Sequence, residues 1–209
     1  GKESTLTAHQ LLVAVGRGPL TEGLEMEKLG IETDRGFIKV DDHYKTSCKG
    51  IYAVGDVTGP PLLAHAAAAE GIAAVEMIAG HDAKKVERQR IPACVYCQPE
   101  VAGIGLGEGA ARAAGLQVKV GRFPFRAAGK AVASDSTDGW VKVISDGKGE
   151  ILGVHMIGKG VTELVAEAGL VQKMGGTVHD LGQMIHAHPT LSEALMEASL
   201  AVTGESINS

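Results

Sequence analysis

The sequence predicts an α/β region followed by an α+β domain with an antiparallel sheet, and three observations support this prediction. Up to about residue 90, short apolar segments and glycine-rich turns surround one long alanine-rich helix, as in part of an α/β layer. From residue 91, a series of short strands is followed by helices, the order typical of an α+β unit. The composition agrees, because 29 glycines and 44% hydrophobic residues with only 3% aromatics suit close packing of helices on a sheet.

In the first region, apolar segments predict buried strands that end at glycine turns. Residues 10–15 (QLLVAV) form one such segment and residues 51–54 (IYAV) another, while residues 37–40 (FIKV) predict an edge strand. Residues 63–78 predict the long helix. A strand as apolar as 10–15 normally has parallel neighbours on both sides, and few residues precede it to supply them. We therefore expect the chain to be the C-terminal part of something larger.

The second region, residues 91–209, is long enough to form an independent domain. Asp-Gly pairs at residues 138–139 and 146–147 are turn signals between its strands. Strands are predicted at residues 93–96, 101–104, 117–125, 140–145 and 151–157, and helices at residues 161–174, 178–185 and 190–202.

The charge distribution excludes two classes of partner. The formal net charge is −5 and the longest basic cluster is Lys84-Lys85, which argues against nucleic acid and anionic membrane surfaces. The longest apolar run, residues 64–79, is interrupted by His65, Glu70 and Glu76. It is too short and too charged to span a bilayer.

Three cysteines, an odd and sparse number, fit a reducing compartment rather than a disulfide framework. We expect a cytoplasmic protein, or one of the mitochondrial matrix in a eukaryote. Cys94 and Cys97 have the spacing of half a zinc site, but there is no second pair and no suitably spaced histidine. Because residues three apart on a strand point to opposite faces, buried core cysteines are predicted instead.

The segment 186–193 (HAHPTLSE) is the strongest candidate for acid–base chemistry. Pro189 disfavours the α conformation at His188 and suits the first turn of a following helix, so His188 should project from a loop just before a helix that carries Glu193. A carboxylate within reach can fix one imidazole tautomer and raise the basicity of the other nitrogen. The alternative is a plain helix cap. His186 and His188 could also share a face and bind a metal, although no third ligand is evident.

A second candidate site surrounds the turn after residues 51–54. Asp56 would lie at the carboxyl end of a strand, where open α/β sheets bind ligands, and its carboxylate suits the hydroxyls of a sugar or ribityl chain. Leu63, Ala64 and His65 start the following helix, whose free N–H groups would stabilise an electron-rich atom. The alternatives are an Asp turn or cap and a first-turn histidine.

Residues 105–110 (GLGEGA) imitate a dinucleotide-binding fingerprint but do not fit its context. No acidic residue follows at the expected distance, the surrounding strands are predicted to be antiparallel, and Glu108 would face a pyrophosphate. A glycine-rich helix start is the better interpretation.

Several of these motifs occur together in a known family, in order along the whole chain. They are LLVAVGRGP, TSCKGIYAVGD, LLAHAAAAEG, IPACVYCQPEVAGIGL, LGVHMIG and HAHPTLSEAL. The chain thereby resembles the C-terminal part of the pyridine nucleotide-disulfide oxidoreductases, and most closely the members that oxidise dihydrolipoamide.

The resemblance implies a division into three parts. Residues 1–17 would end the NAD-binding domain, residues 18–90 would form the second segment of the FAD-binding domain, and residues 91–209 would form the interface domain of a homodimer. It also implies an acid–base pair, His188 with Glu193, and a cis peptide at His188–Pro189. The implied cofactors are FAD and NAD, with these residues on the cofactor side: Arg17, Gly55, Asp56, Leu63, Ala64 and His65.

By the same resemblance, dihydrolipoamide would reduce a disulfide of the other subunit, with His188 taking the thiol proton, and electrons would reach NAD⁺ through the flavin. A 2-oxo acid dehydrogenase complex and the N-terminal remainder of the protein are the implied partners. The C-x4-C pair and the glycine-rich cofactor fingerprints are not in this sequence, and Gly16-Arg17-Gly18-Pro19 replaces the usual Gly-Arg-Arg-Pro. We therefore expect the fragment to be inactive alone.

Three alternatives are weighed at the level of sequence: a glutathione-type reductase, a mercuric-type reductase and a non-catalytic module. A glutathione-type reductase usually carries two acidic residues after the serine of the last motif, whereas Ala194 follows Glu193 here. Mercuric-type reductases tend to end in paired cysteines, which this chain lacks. A dimerising or complex-docking module without catalysis would lack flavin absorbance.

Overall fold

The protein is described by a computed structural model that covers residues 3–208. The chain divides into two compact units, Gly1–Val86 and Glu87–Ser209. No helix among the described residues is long and apolar enough to cross a bilayer.

The first unit contains one small hairpin and one long helix. Strands β1 (Thr33–Asp34) and β2 (Phe37–Ile38) pair antiparallel across a turn in which Arg35 and Gly36 both have positive φ. Helix α1 spans Ala64–Ile78, within one residue of the predicted start. Its buried face packs Ala73 and Ala74 against the fully buried Tyr44. The predicted edge strand is therefore shorter than residues 37–40.

The prediction of a buried strand at residues 10–15 is wrong for this structure. The segment has no regular secondary structure, and Leu11 and Val15 are 86% and 94% exposed. A buried strand needs hydrogen-bonding neighbours on both sides, and none of the described strands lies beside this segment.

The prediction of a buried strand at residues 51–54 is also wrong. Tyr52 forms only an isolated antiparallel bridge with Lys45, and the N–H of Ala53 donates to the carbonyl of Tyr44 at 3.0 Å. The chain then enters a 3₁₀ turn, Gly55–Thr58. Local pairing with residues 44–46 takes the place of a parallel sheet.

The second unit is built on a five-stranded antiparallel sheet, as predicted. Its strands lie in the order β3, β4, β7, β6, β5, and every neighbouring pair is antiparallel. The elements in chain order are β3 (Ala93–Val95), β4 (Val101–Gly105), α2 (Glu108–Ala113), β5 (Lys119–Pro124), α3 (Gly129–Ala133), β6 (Trp140–Ser145), β7 (Ile151–Ile157), α4 (Val161–Lys173), α5 (Val178–Gln183) and α6 (Glu193–Thr203).

The core of this unit lies between the sheet and its helices. Helix α4 packs on β4 and β7, and α6 packs on β5 and β6. Alternate residues of β6, such as Val141 and Val143, are fully buried beneath them. Gly121 on β5 allows the closest approach, because a Cβ there would overlap the carbonyl oxygen of Ala198 on α6. The helix that begins with Glu193 is thus held directly on the sheet.

A buried carboxylate joins α6 to the residues that follow it. Glu197 is 1% exposed and accepts hydrogen bonds from the Ser206 hydroxyl at 2.7 Å and the Ile207 N–H at 2.8 Å. The backbone and side-chain amides of Asn208 donate to the same carboxylate. Burial acts to raise the pKa of Glu197, but these hydrogen bonds outweigh it and lower the pKa below its usual value.

Candidate active site

The structure brings His188 and Glu193 together. Nδ1 of His188 lies 2.8 Å from Oε1 of Glu193, and the two side chains are 75% and 21% exposed. A carboxylate can only accept, so Nδ1 carries the proton and donates it to Glu193. The other ring nitrogen, Nε2, then presents its lone pair, and no described residue is hydrogen-bonded to it. This tautomer suits a base that accepts a proton from solvent-accessible substrate.

The loop before Glu193 is held by short-range hydrogen bonds rather than by a helix. The His188–Pro189 peptide is cis. The Thr190 hydroxyl donates to the carbonyl of Ala187 at 2.7 Å, and the Thr190 N–H donates to Oε2 of Glu193 at 2.8 Å. These contacts form a turn, so α6 begins at Glu193 and not at Thr190 as expected. Both oxygens of Glu193 are therefore engaged, one by the loop and one by His188.

The environment of Glu193 favours its charged form. Burial acts to raise its pKa, but hydrogen bonds from the Thr190 N–H and from His188, together with the charges of His188 and His186, lower it below the usual value. Glu193 is also the first residue of α6, where the positive end of the helix dipole stabilises an anion. A charged Glu193 stabilises the imidazolium that forms when His188 takes a proton.

His186 does not share a face with His188. Its side chain is only 2% exposed, and its Nε2 lies 2.7 Å from Oε1 of Glu167 on α4. Its Nδ1 lies 2.9 Å from the carbonyl of Met184. The two histidines therefore have different partners, and among the described residues no group of three or more His, Cys, Asp or Glu could hold a metal ion.

The second candidate site is assembled in the first unit. Gly55 is buried with a φ of 75°, and its N–H donates to Oε2 of Glu70 on α1 at 2.8 Å. Because a Cβ at Gly55 would lie 2.9 Å from the Cβ of Ala67, only glycine allows this turn to pack so closely on α1. The contacts hold the half-buried Asp56 in a 3₁₀ turn that packs against α1.

Arg17 is the third part of this cluster. Its Nη2 donates to the carbonyl of Leu62 at 2.6 Å, and its Nη1 lies 3.7 Å from Oδ2 of Asp56. Leu63 is the N-cap of α1 and gives no side-chain cap, and Ala64 and His65 occupy the exposed first turn. The cluster thus combines a carboxylate, a guanidinium and a helix N-terminus.

Two further predictions concern motifs outside these sites. Cys94 lies on β3 and packs partly against the core, and burial raises the pKa of its thiol. Cys97, however, is exposed beyond the end of that strand and lies 3.0 Å from the carbonyl of Pro99, so the prediction of a buried core cysteine is wrong for it. Glu108 starts α2 and lies near three cations, Arg112, Arg122 and Lys142.

Sequence reasoning missed the residues that support both sites. Glu70 and Glu197 are buried carboxylates on helices that are otherwise mostly apolar. A charged residue within an apolar helix sequence is the signal that could have found them. Glu167 pairs with a histidine 19 positions away, which no local pattern indicates.

Comparisons with known proteins identify the protein family. Residues 91–199 match the family model of the pyridine nucleotide-disulphide oxidoreductase dimerisation domain. Residues 1–71 match that of pyridine nucleotide-disulphide oxidoreductases. The chain therefore belongs to the pyridine nucleotide-disulphide oxidoreductase family.

Within this family the chain is similar to dihydrolipoyl dehydrogenases, which confirms the resemblance found in the motifs. It is 49% identical to that of Thermus scotoductus over its whole length, and spans 45% of that relative. It is 44% identical to the mitochondrial dihydrolipoyl dehydrogenase of Bos taurus, and spans 41% of it. The chain thus spans less than half the length of these relatives.

Solved structures agree with the fold. LpdA from Mycobacterium tuberculosis superposes with a TM-score of 0.82 at 29% identity, covering 87% of this chain and 40% of that one. The HOCl-induced flavoprotein disulfide reductase RclA from Escherichia coli gives 0.82 at 28% identity, covering 89% of this chain and 43% of its own.

Proposed function

We propose that the full-length protein is an FAD-dependent dihydrolipoyl dehydrogenase that oxidises dihydrolipoamide with NAD⁺ through a redox disulfide. The observation that carries this proposal is the His188–Glu193 pair, in which Nδ1 is held at 2.8 Å by the carboxylate and the ring is 75% exposed. An exposed imidazole with one tautomer fixed is equipped to move protons at thiols. The 49% identity to a dihydrolipoyl dehydrogenase supports the choice of substrate.

In the proposed thiol half-reaction, Nε2 of His188 accepts the proton of one dihydrolipoamide thiol. The resulting thiolate attacks the enzyme disulfide, which forms a mixed disulfide and releases one enzyme thiolate. The released enzyme thiolate takes the proton from His188, whose Nε2 can then accept the proton of the second substrate thiol, and the second thiolate breaks the mixed disulfide. Lipoamide leaves as a cyclic disulfide, and the enzyme has gained two electrons as a dithiol. Glu193 stabilises the imidazolium between these steps.

The residues of the second site fit the proposed flavin. Asp56 accepts hydrogen bonds only and remains partly exposed, as a partner of ribityl hydroxyls must be. The first turn of α1, without a side-chain cap at Leu63, offers backbone N–H groups and a positive dipole end to an electron-rich atom. Bound FAD would supply two-electron transfer to NAD⁺. Arg17 would keep the loop before α1 in place through Leu62.

The proposal includes an organisation for the whole protein. Residues 1–17 would end the NAD-binding domain, and residues 18–90 would form the second segment of the FAD-binding domain. Residues 91–209 would form the interface domain through which two subunits make a homodimer. The family model of a dimerisation domain at residues 91–199 supports the last of these. Service in a 2-oxo acid dehydrogenase complex and a cytoplasmic or mitochondrial-matrix location follow from the choice of enzyme.

The test is His188→Gln in the full-length protein, followed by rapid mixing of each half-reaction. We expect flavin content and flavin reduction by NADH to stay at wild-type values, while reduction by dihydrolipoamide slows by about 10²- to 10⁴-fold, the usual loss for a general base. His179→Gln, an exposed histidine on α5, is the matched control.

Three outcomes would contradict the proposal. Wild-type rates with dihydrolipoamide in the His188 variant would remove the assigned role. Reduction of glutathione disulfide in preference to oxidation of dihydrolipoamide would favour a glutathione-type reductase. A purified full-length protein without flavin absorbance would favour a non-catalytic module.

A further inference from the structure

The loop that carries His188 is attached to α4 by a second histidine. His186 lies two residues before His188, and its ring is 2% exposed. Its Nε2 lies 2.7 Å from Oε1 of Glu167, and its Nδ1 lies 2.9 Å from the carbonyl of Met184. The proposed thiol reaction uses neither His186 nor Glu167.

The partners of His186 are both hydrogen-bond acceptors. A backbone carbonyl cannot donate, and an ionised carboxylate cannot donate either. The imidazole therefore satisfies both contacts only when both ring nitrogens carry a proton. In that form the contact is a charge-assisted hydrogen bond, the stronger kind, between a ring that is 2% exposed and a carboxylate that is 22% exposed. Removal of Glu167 would leave the buried Nε2 of His186 without its hydrogen-bond partner.

Glu167 is fixed in place by the helix that carries it. Its neighbours on α4, Val165 and Ala168, are 4% and 0% exposed in the core against the sheet. The segment between the end of α5 at Gln183 and the start of α6 at Glu193 has no helix or strand of its own. The His186–Glu167 contact is therefore a tether between a helix that is packed in the core and an irregular loop.

The tether acts on both members of the acid–base pair. It fixes the backbone two residues before His188, and so sets where the exposed ring of His188 stands. Burial acts to raise the pKa of Glu193. The hydrogen bonds from Thr190 and His188 lower this pKa, and the charge of His186 lowers it further.

We infer that Glu167 is a positioning residue for the proposed thiol reaction, acting through His186 to hold His188 where it can take the thiol proton. The inference rests on the proposed function. It predicts that loss of the Glu167 carboxylate slows proton transfer at thiols and leaves the flavin side of the enzyme unchanged, because the hydrogen-bond partner of this carboxylate is His186, which is not among the residues assigned to the flavin.

The test is a double-mutant cycle in the full-length protein. We expect Glu167→Ala to slow flavin reduction by dihydrolipoamide by about 10- to 100-fold, the range expected for misplacement of a reacting group, with the rate of reduction by NADH unchanged. Glu167→Gln keeps an oxygen at the same distance and should recover part of the rate. In a His188→Gln background, Glu167→Ala should cause little further loss, because the group it positions is gone.

The matched control is Glu163→Ala, an exposed glutamate one turn earlier on α4, which should behave as wild type. If Glu167→Ala does not fold, His186→Gln should give the same selective loss. Equal rates for the Glu167 and Glu163 variants, or fully additive losses in the cycle, would overturn the inference. The proposed function fails separately, if His188→Gln alone leaves dihydrolipoamide oxidation intact.

Discussion

Two histidines two positions apart differ in what they can do because their burial differs. His186 is 2% exposed with both ring nitrogens occupied, whereas His188 is 75% exposed with only Nδ1 occupied. A substrate proton can reach and leave the exposed Nε2 of His188. The buried ring of His186 has no nitrogen that is open to substrate. The same residue type is thus an anchor at one position and a candidate base at the other.

Glu193→Gln tests the carboxylate of the acid–base pair. One oxygen of Glu193 accepts from His188 and the other from the Thr190 N–H. A glutamine has one oxygen, so one of these donors would face an NH₂ group, and no negative charge would remain to stabilise the imidazolium. We expect the dihydrolipoamide half-reaction to slow by about tenfold or more, yet less than with His188→Gln.

The measurement is rapid-mixing kinetics of flavin reduction, with the NADH half-reaction of the same variant as the internal control. Thr190 keeps its hydroxyl contact to Ala187 in this variant, so the loop itself should persist. A Glu193→Gln enzyme with the wild-type dihydrolipoamide rate would show that the carboxylate has no part in the chemistry.

At this scale the sequence is informative only where the partners are close along the chain. His188 and Glu193 are five positions apart, and the proline between them indicates a loop followed by a helix. Glu167 and His186 are joined by the packing of α4 against the 184–192 loop, which depends on tertiary structure. The buried Glu70 beneath Gly55 has the same origin. Supporting residues of this kind cannot be found from local spacing.

Among the elements, α6 connects the candidate site to the end of the chain. Glu193 begins the helix, and Glu197, one turn later, binds Ser206, Ile207 and Asn208. Gly121 lets the same helix lie directly on β5. The helix is therefore fixed on the sheet side and at the tail side, which limits how far Glu193 can move.

Glu197→Gln should destabilise the protein in a pH-dependent way. The pKa of Glu197 is lowered in the folded state from its ordinary value of 4.5, so its carboxylate contributes stability above that value and loses it as the pH falls through the folded pKa. At neutral pH we expect the free energy of unfolding of the variant to fall by about 2–3 kcal/mol, because loss of the buried charged acceptor leaves several donors unsatisfied. The deficit should shrink below about pH 4.5.

The measurement is thermal unfolding of wild type and variant from neutral pH down to about pH 3.5. Glu150→Gln, an exposed glutamate in the same unit, is the control and should track wild type throughout. A deficit that is the same at every pH would mean that the charge of Glu197 does not hold the tail.

The elements that the sequence predicts well are those whose signals are local. Strands β6 and β7 match their predicted bounds, because Asp-Gly turns precede β6 and separate it from β7. Helix α5 begins where Thr177 and Asp180 form a capping box. The predicted strands at 10–15 and 51–54 failed because apolarity indicates burial but does not supply a pairing partner. The five-residue helix α3 was missed, being too short for a periodic signal.

At the scale of the molecule, the two units differ in how completely they bury their own apolar side chains. The second unit encloses a continuous core around its sheet. In the first unit, the buried cluster is small, and the four large apolar side chains of the 10–15 segment are exposed: Leu11, Leu12, Val13 and Val15. Large exposed aliphatic side chains in sequence are unfavourable in water and mark a surface that other residues would cover.

Hydrogen exchange should reveal whether residues 10–15 become a strand in the full-length protein. If this segment ends the NAD-binding domain, as we propose, parallel neighbours would bond its backbone on both sides and bury its side chains. In the 209-residue chain, where Leu12 is 87% exposed, its amides should exchange at nearly the rate of an unstructured peptide. In the full-length protein we expect exchange slower by about 100-fold or more. Amides of β6, protected in both forms, are the control, and fast exchange at 10–15 in the full-length protein would contradict the proposed domain boundary.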